Sequence, residues 1–222
     1  MIKRILGLVL CLTMILSTAT IGLSAVSYKP TVDLDGKTYT DEEGLIFKVI
    51  TNDAEAGNAD DAFSSAIEAG SNIILDGDIT LTGSYEPKNG VVIDGNGYTI
   101  QTEERATALF SFTQGGIVTI RNVNFGSSEE PIVTGNTALF AEDKTNRTIW
   151  ENVGFYVNNT GAVGYVKDST PAFGTLFTCV YGVQEFYGCT LGVSLTSAAS
   201  GSLFAGWFGE MKNSGSNMAQ VT

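Results

Sequence analysis

The sequence predicts an all-β fold, a coiled solenoid of short parallel strands preceded by one short α-helix. Three observations carry that expectation. First, a seven-position pattern recurs five times around a residue that enters the left-handed backbone region at little cost: Gly95, Asn122, Asn152, Gly188 and Asn213. Two positions before each pivot stands a large apolar residue (Ile93, Ile120, Trp150, Phe186, Met211). Three positions after it stand Tyr98, Phe125, Phe155 and Leu191, and only the fifth copy fails, at Ser216. Exchange of Gly and Asn at a fixed point of a repeat is what a shared positive-φ bend produces. Second, Leu-Phe pairs alternate with the pivots, in TALF at 107–110 and 137–140, GTLF at 174–177 and GSLF at 201–204. The pivots lie 27, 30, 36 and 25 residues apart and the Leu-Phe pairs 30, 37 and 27, so two motifs share one period. Third, the residue ahead of each pivot reads Asp94, Arg121, Glu151, Tyr187, Lys212. Charge alternates over the first three, as it should on neighbouring strands.

Along the chain, residues 1–27 read as a secretion signal. Lys3 and Arg4 precede the apolar run Ile5 to Leu16, and small residues follow to Ser27. Cleavage after Ser27 suits this pattern better than cleavage after Ala25, and an uncleaved anchor is the minority alternative. Residues 28–57 are expected to be strands leading into the stack, with Leu45, Phe47 and Val49 alternating against Ile46 and Lys48. Residues 58–70 predict a short amphipathic helix. Asn58 is a good N-cap, Asp60 and Asp61 place negative charge in the first turn, and Gly70 suits the C′ position. Ala59, Ala62, Phe63, Ala66 and Ile67 fall on one face of it. Residues 71–222 are expected to form the coils. The last copy degrades into SGSNMAQVT, which reads as a fragment of a longer protein.

Composition narrows the partners. The full chain carries 12 Lys and Arg against 24 Asp and Glu. Without the signal the balance is 10 against 24, a net −14 that repels nucleic acid and anionic membranes. The mature form is expected to have no membrane partner. There is no His, the commonest general base and transition-metal ligand. Cys179 and Cys189 remain after signal removal. Cys189 takes the place held by Val123 and Val153, which favours a core thiol and leaves a disulfide open.

The helix ending in AIEAG, followed by NIILDGDITLTG, VVIDGNGYTI and VTIRNVNF, resembles the opening of a right-handed parallel β-helix of the pectin lyase-like superfamily, over roughly residues 45 to 213. The resemblance implies a helix that caps the first coil. It admits enzymes and non-catalytic surface proteins alike. Hydrolases of this kind use clustered Asp residues, one donating a proton and one activating water. Lyases of this kind use an Arg base and Ca²⁺, which needs six to eight oxygen ligands. The obvious carboxylates are Asp76, Asp78 and Asp94, but Asp76 and Asp78 flank Gly77 as turn residues do. Arg121 should be satisfied between Asp94 and Glu151, and Arg105 and Arg147 read as solvated. No catalytic residue and no metal ligand is assigned.

The longest insertion, 157–173, is the candidate binding loop. Tyr165 could stack on a sugar, and Lys167 and Asp168 could hydrogen-bond its hydroxyls. Asn146-Arg147-Thr148 and Asn158-Asn159-Thr160 match the N-glycosylation acceptor pattern. The expectation is a secreted or surface-exposed scaffold, adhesin-like or carbohydrate-binding, whose partner is an extracellular glycan or cell surface. The alternative is a polysaccharide lyase or glycoside hydrolase with incomplete catalytic coils.

Overall fold

A computed structural model describes residues 34, 37–52, 58–105, 107–135, 138–142, 146–160, 177–179, 183–195, 204–205 and 211–213. The chain folds mostly into strands, arranged in three sheets that are almost wholly parallel. The first sheet, A, begins with a hairpin, β1 (Thr38–Thr40) antiparallel to β2 (Ile46–Thr51). It continues in parallel through β3 (Asn72–Asp76), β5 (Val92–Asp94), β8 (Gly116–Arg121), β12 (Asn146–Glu151), β15 (Val183–Tyr187) and β18 (Met211–Asn213). Sheet B holds β4 (Ile79–Thr80), β6 (Thr99–Gln101), β9 (Asn124–Phe125), β10 (Ile132–Thr134), β13 (Gly154–Asn159) and β16 (Thr190–Leu195). Sheet C holds β7 (Phe110–Phe112), β11 (Phe140–Glu142), β14 (Phe177–Cys179) and β17 (Phe204–Ala205). Successive sequence repeats therefore supply successive strands of each sheet.

Register follows the motifs. Phe110, Phe140, Phe177 and Phe204 of the Leu-Phe pairs stand side by side in sheet C. Tyr85 adds an earlier rung by bridging Phe110. In sheet A, Ile93, Ile120, Trp150 and Phe186 align and are buried. In sheet B, Phe125, Phe155 and Leu191 align. Phe110 and Phe140 of sheet C, the aligned rows of sheets A and B, and Leu109 and Leu139 form one core drawn from all three sheets. Its rings pack in edge-on and stacked pairs, with Phe140 to Trp150 at 4.9 Å and Phe125 to Phe155 stacked at 6.0 Å.

The predicted helix is α1 (Ala59–Ala69). The Asn58 side chain accepts from Asp60 N at 3.0 Å, and Gly70, at φ 72°, closes the C-terminal end. Ala59, Phe63, Ala66 and Ile67 are buried, and Phe63 lies 5.1 Å from Tyr85 and 6.0 Å from Phe110. The apolar helical face thus joins the main core. Phe47 and Val49 are buried on the opposite face of sheet A, in a second small cluster with Leu34 and Ile74, while Leu45 stays exposed.

Two of the five bends depart from expectation. Asn122, Asn152 and Gly188 share the bend at φ 52°, 53° and 63°. Gly95 does not have positive φ; the left-handed residues of its copy are Asn96 and Gly97, at 51° and 87°. They form a turn closed by Tyr98 N donating to Gly95 O at 2.8 Å, the type I′ pattern. This bend is two residues longer, so Ile100 rather than Tyr98 stands beside Phe125. Gly95 is needed for close approach: a methyl there would lie 2.6 Å from Asn122 O and 2.7 Å from Val123 Cα. In the fifth copy Asn213 pairs with Phe186 and Met211 with Gln184, a two-residue offset from the expected alignment.

Candidate functional site

Alternation along each strand places Asp94, Arg121, Glu151 and Tyr187 on the outer face of sheet A, opposite the buried Ile93, Ile120, Trp150 and Phe186. Arg121 Nε donates to Asp94 Oδ2 at 2.6 Å. Its Nη2 reaches Asp41 Oδ2 at 3.4 Å, in the turn between β1 and β2, and its Cζ lies 5.6 Å from the Phe47 ring centre. The guanidinium thus turns toward the hairpin, and Asp41 takes the place expected for Glu151. Burial opposes its charge, but Asp94 first and then Asp41 hold its pKa above the ordinary value. Asp94 is 5 % exposed and also accepts from Asn96 N at 2.8 Å and Asn122 Nδ2 at 3.3 Å. Asn152 Nδ2 in turn donates to Asn122 Oδ1 at 3.3 Å, so the bend asparagines form a ladder rooted on Asp94.

Arg147 is a residue of strand β12 and is exposed, as expected. It holds Glu185 by two bonds, Nε to Oε1 at 2.8 Å and Nη2 to Oε2 at 3.0 Å, and Tyr187 Oη donates to the same carboxylate at 2.9 Å. Arg105, also expected to be solvated, is 6 % exposed. It donates to the carbonyls of Thr82 (2.8 Å), Thr107 (3.2 Å) and Ala108 (3.2 Å) and to Ser84 Oγ (2.9 Å). Burial lowers its pKa, opposed by the negative ends of Tyr85 and Asp60.

Asp76, Asp78 and Asp94 do not converge. Asp94 stands beside Ile74, Asp76 ends β3, and Asp78 Oδ1 accepts Thr99 N at 2.7 Å. Among the described residues no three Cys, Asp or Glu side chains gather as a metal site. Tyr165, Lys167 and Asp168 lie outside the described residues. Asn146, of the first glycosylation pattern, is 5 % exposed and faces the core. Cys189 is a free, buried thiol beside Val123 and Val153 in the core, and burial pushes its pKa up to about 11. The Cys179 side chain lies outside the described residues. No helix among the described residues is long and apolar enough to cross a membrane.

The outer face of sheet B is different in kind. Thr99, Asn124, Gly154 and Thr190 stand side by side on four neighbouring strands. Beside them Tyr156 is in register with Gly192. A methyl on Gly192 would lie 2.7 Å from Tyr156 Cδ1 and 3.1 Å from Cε1, and one on Gly154 would lie 2.9 Å from Cε2. The two edges of the ring therefore occupy the side-chain space of glycines on two strands. The ring lies low across β13 and β16, where a strand tyrosine ordinarily stands off the sheet. The alternation Gly154-Phe155-Tyr156, with Gly192 one repeat later, is a sequence signal for this arrangement that motif reading passes over.

No family model, no curated protein and no solved structure matches this chain.

Proposed function

We propose that this chain is a right-handed parallel β-helix of the pectin lyase-like type, exported from the cell, and that it serves as a non-catalytic surface scaffold of the adhesin-like or carbohydrate-binding kind. Three parallel sheets fed in turn by each repeat support the coil reading. Parallel crossovers are right-handed in about 98 % of cases, which supports its hand. The observation that carries the non-catalytic reading is the mutual pairing of charge on the outer face of sheet A. Arg121 is bound by Asp94 and Asp41, and Arg147 by Glu185. An arginine base must be free to accept a proton, and a proton-donating carboxyl must stay protonated near neutral pH. Bidentate and buried ion pairs favour the opposite states.

The test is turnover of neutral and acidic polysaccharides by the secreted protein, with and without Ca²⁺, following reducing ends and unsaturated products. Binding without turnover is expected. Calcium-dependent unsaturated product, or a steady rise in reducing ends, would replace this reading with a lyase or a hydrolase.

A further inference from the structure

Resting on the carbohydrate-binding reading, we infer that the outer face of sheet B around Tyr156 is a glycan-binding platform for a neutral polysaccharide chain. Two independent features point to it. One is the ring, laid flat because Gly154 and Gly192 leave it room on two strands. Tyr156 is half-buried, so part of the ring stays accessible, and the C–H face of a pyranose packs on an accessible aromatic surface. The other is the chemistry beside it. Asn124 and Thr190 flank Gly154 on the neighbouring strands, both half-buried, and the Asn124 amide reaches over Gly154 itself. Amide and hydroxyl groups placed beside an aromatic ring orient sugar hydroxyls while the ring supplies the apolar contact.

Charge decides which glycan. From Asn124 across to Gly192 these residues are uncharged, on a mature chain of net −14. A polyuronate would meet long-range repulsion with no cation among these described residues to offset it, whereas a neutral chain meets none. The strands also fix the direction. Neighbouring strands lie about 4.8 Å apart, close to the length of one sugar unit, so a chain crossing them would meet Thr99, Asn124 and Thr190 in turn.

Affinity electrophoresis of the secreted protein through gels containing xylan, galactomannan, mixed-linkage β-glucan or polygalacturonate tests this. Retardation by at least one neutral polymer and none by polygalacturonate is expected. Tyr156→Ala should weaken the retardation on the order of ten-fold, and Tyr156→Phe should keep it. Gly192→Ala keeps the ring but forces it up from the sheet, so it should also weaken binding, with an unchanged melting curve as its control. Retardation of wild type that survives both Tyr156→Ala and Gly192→Ala would overturn the platform while leaving a carbohydrate-binding scaffold standing. Retardation by polygalacturonate alone would overturn the assignment to neutral glycans. No retardation by any polymer would overturn the platform and the carbohydrate-binding reading together.

Discussion

Gly95 and Asn152 stand at the same point of the same bend, two repeats apart, and are there for different reasons. Asn152 supplies a left-handed backbone at φ 53° and an amide that joins the ladder to Asn122. Gly95 supplies neither. It lets the first turn press against Asn122 and Val123, while Asn96 and Gly97 do the bending. A related division marks the N-terminal end of the stack. Later repeats are held by copies of themselves, ring on ring and amide on amide. The coil beneath the first repeat, β3 and β4 with Tyr85, lacks the repeated bend and is held by single-use contacts from α1: Phe63 against the Tyr85 ring, and Asp60 bonded to Tyr85 and Thr82. An interior repeat needs one neighbour on each side, and an end must be finished by something else.

The largest way to break that contrast is at the cap. Phe63 is fully buried, so Phe63→Asp loses the ring and places a charge against the aromatic core. A loss of about 4 kcal/mol or more is expected in a urea titration, with soluble aggregate appearing on gel filtration. A soluble monomer of unchanged stability would refute the capping role of α1. Gly95→Ala comes next, at about 3 kcal/mol, because its methyl meets backbone atoms that cannot step aside. Gly188→Ala is the matched control. There the methyl meets Asn152 Oδ1 at 2.7 Å, the tip of a side chain that can move, and the cost is the left-handed backbone, about 1 kcal/mol. Equal losses at the two glycines would mean that both bends use the same chemistry.

Smaller again is the pair at Asn152. Asn152→Val forces a β-branched residue to φ 53° and should cost about 2 kcal/mol. Asn152→Gly relieves the backbone and gives up one exposed 3.3 Å bond, for a net change within about 0.5 kcal/mol. Equal effects of Val and Gly would remove the shared-bend explanation of the Asn-Gly exchange.

The contrast also explains what was legible in the sequence. Register along the interior repeats was readable because equivalent residues face the same neighbours: Ile120, Trp150 and Phe186 in one row, Phe110 and Phe140 in another. The helix was readable because its caps and apolar face are local. Gly95 was misread because a glycine kept for close approach and one kept for positive φ look alike in a sequence. Arg105 was misread as solvated because two of its partners, Thr82 and Ser84, lie 23 and 21 residues away without a repeating pattern, and the pairing of exposed Arg147 with Glu185, 38 residues on, left no sequence signal for the same reason. Asp41, 80 residues from Arg121, left no trace at all. Tyr156 was passed over because its exposure depends on two glycines, one of them on the next repeat.

A further small effect is the pH dependence of the capped end. Burial pushes the Asp60 carboxyl up, but hydrogen bonds from Tyr85 and then Thr82 outweigh it and leave the pKa below the ordinary 3.8. A carboxylate depressed in the folded state adds stability that is fully present above its unfolded value. That stability is lost as pH falls below 3.8 through the folded value. Asp60 is largely solvent-screened, so the contribution should stay under about 1 kcal/mol. Asp60→Asn should therefore be slightly less stable than wild type at pH 6, with the two urea midpoints converging as pH drops below 3.8. The interior bends give the internal reference, since Asn152→Gly exchanges no ionisable group and its small offset should hold across the same range. A gap between Asp60→Asn and wild type that stays constant down to pH 2 would show that Asp60 holds the cap by shape alone. The capped end would then differ from the repeats in geometry but not in charge.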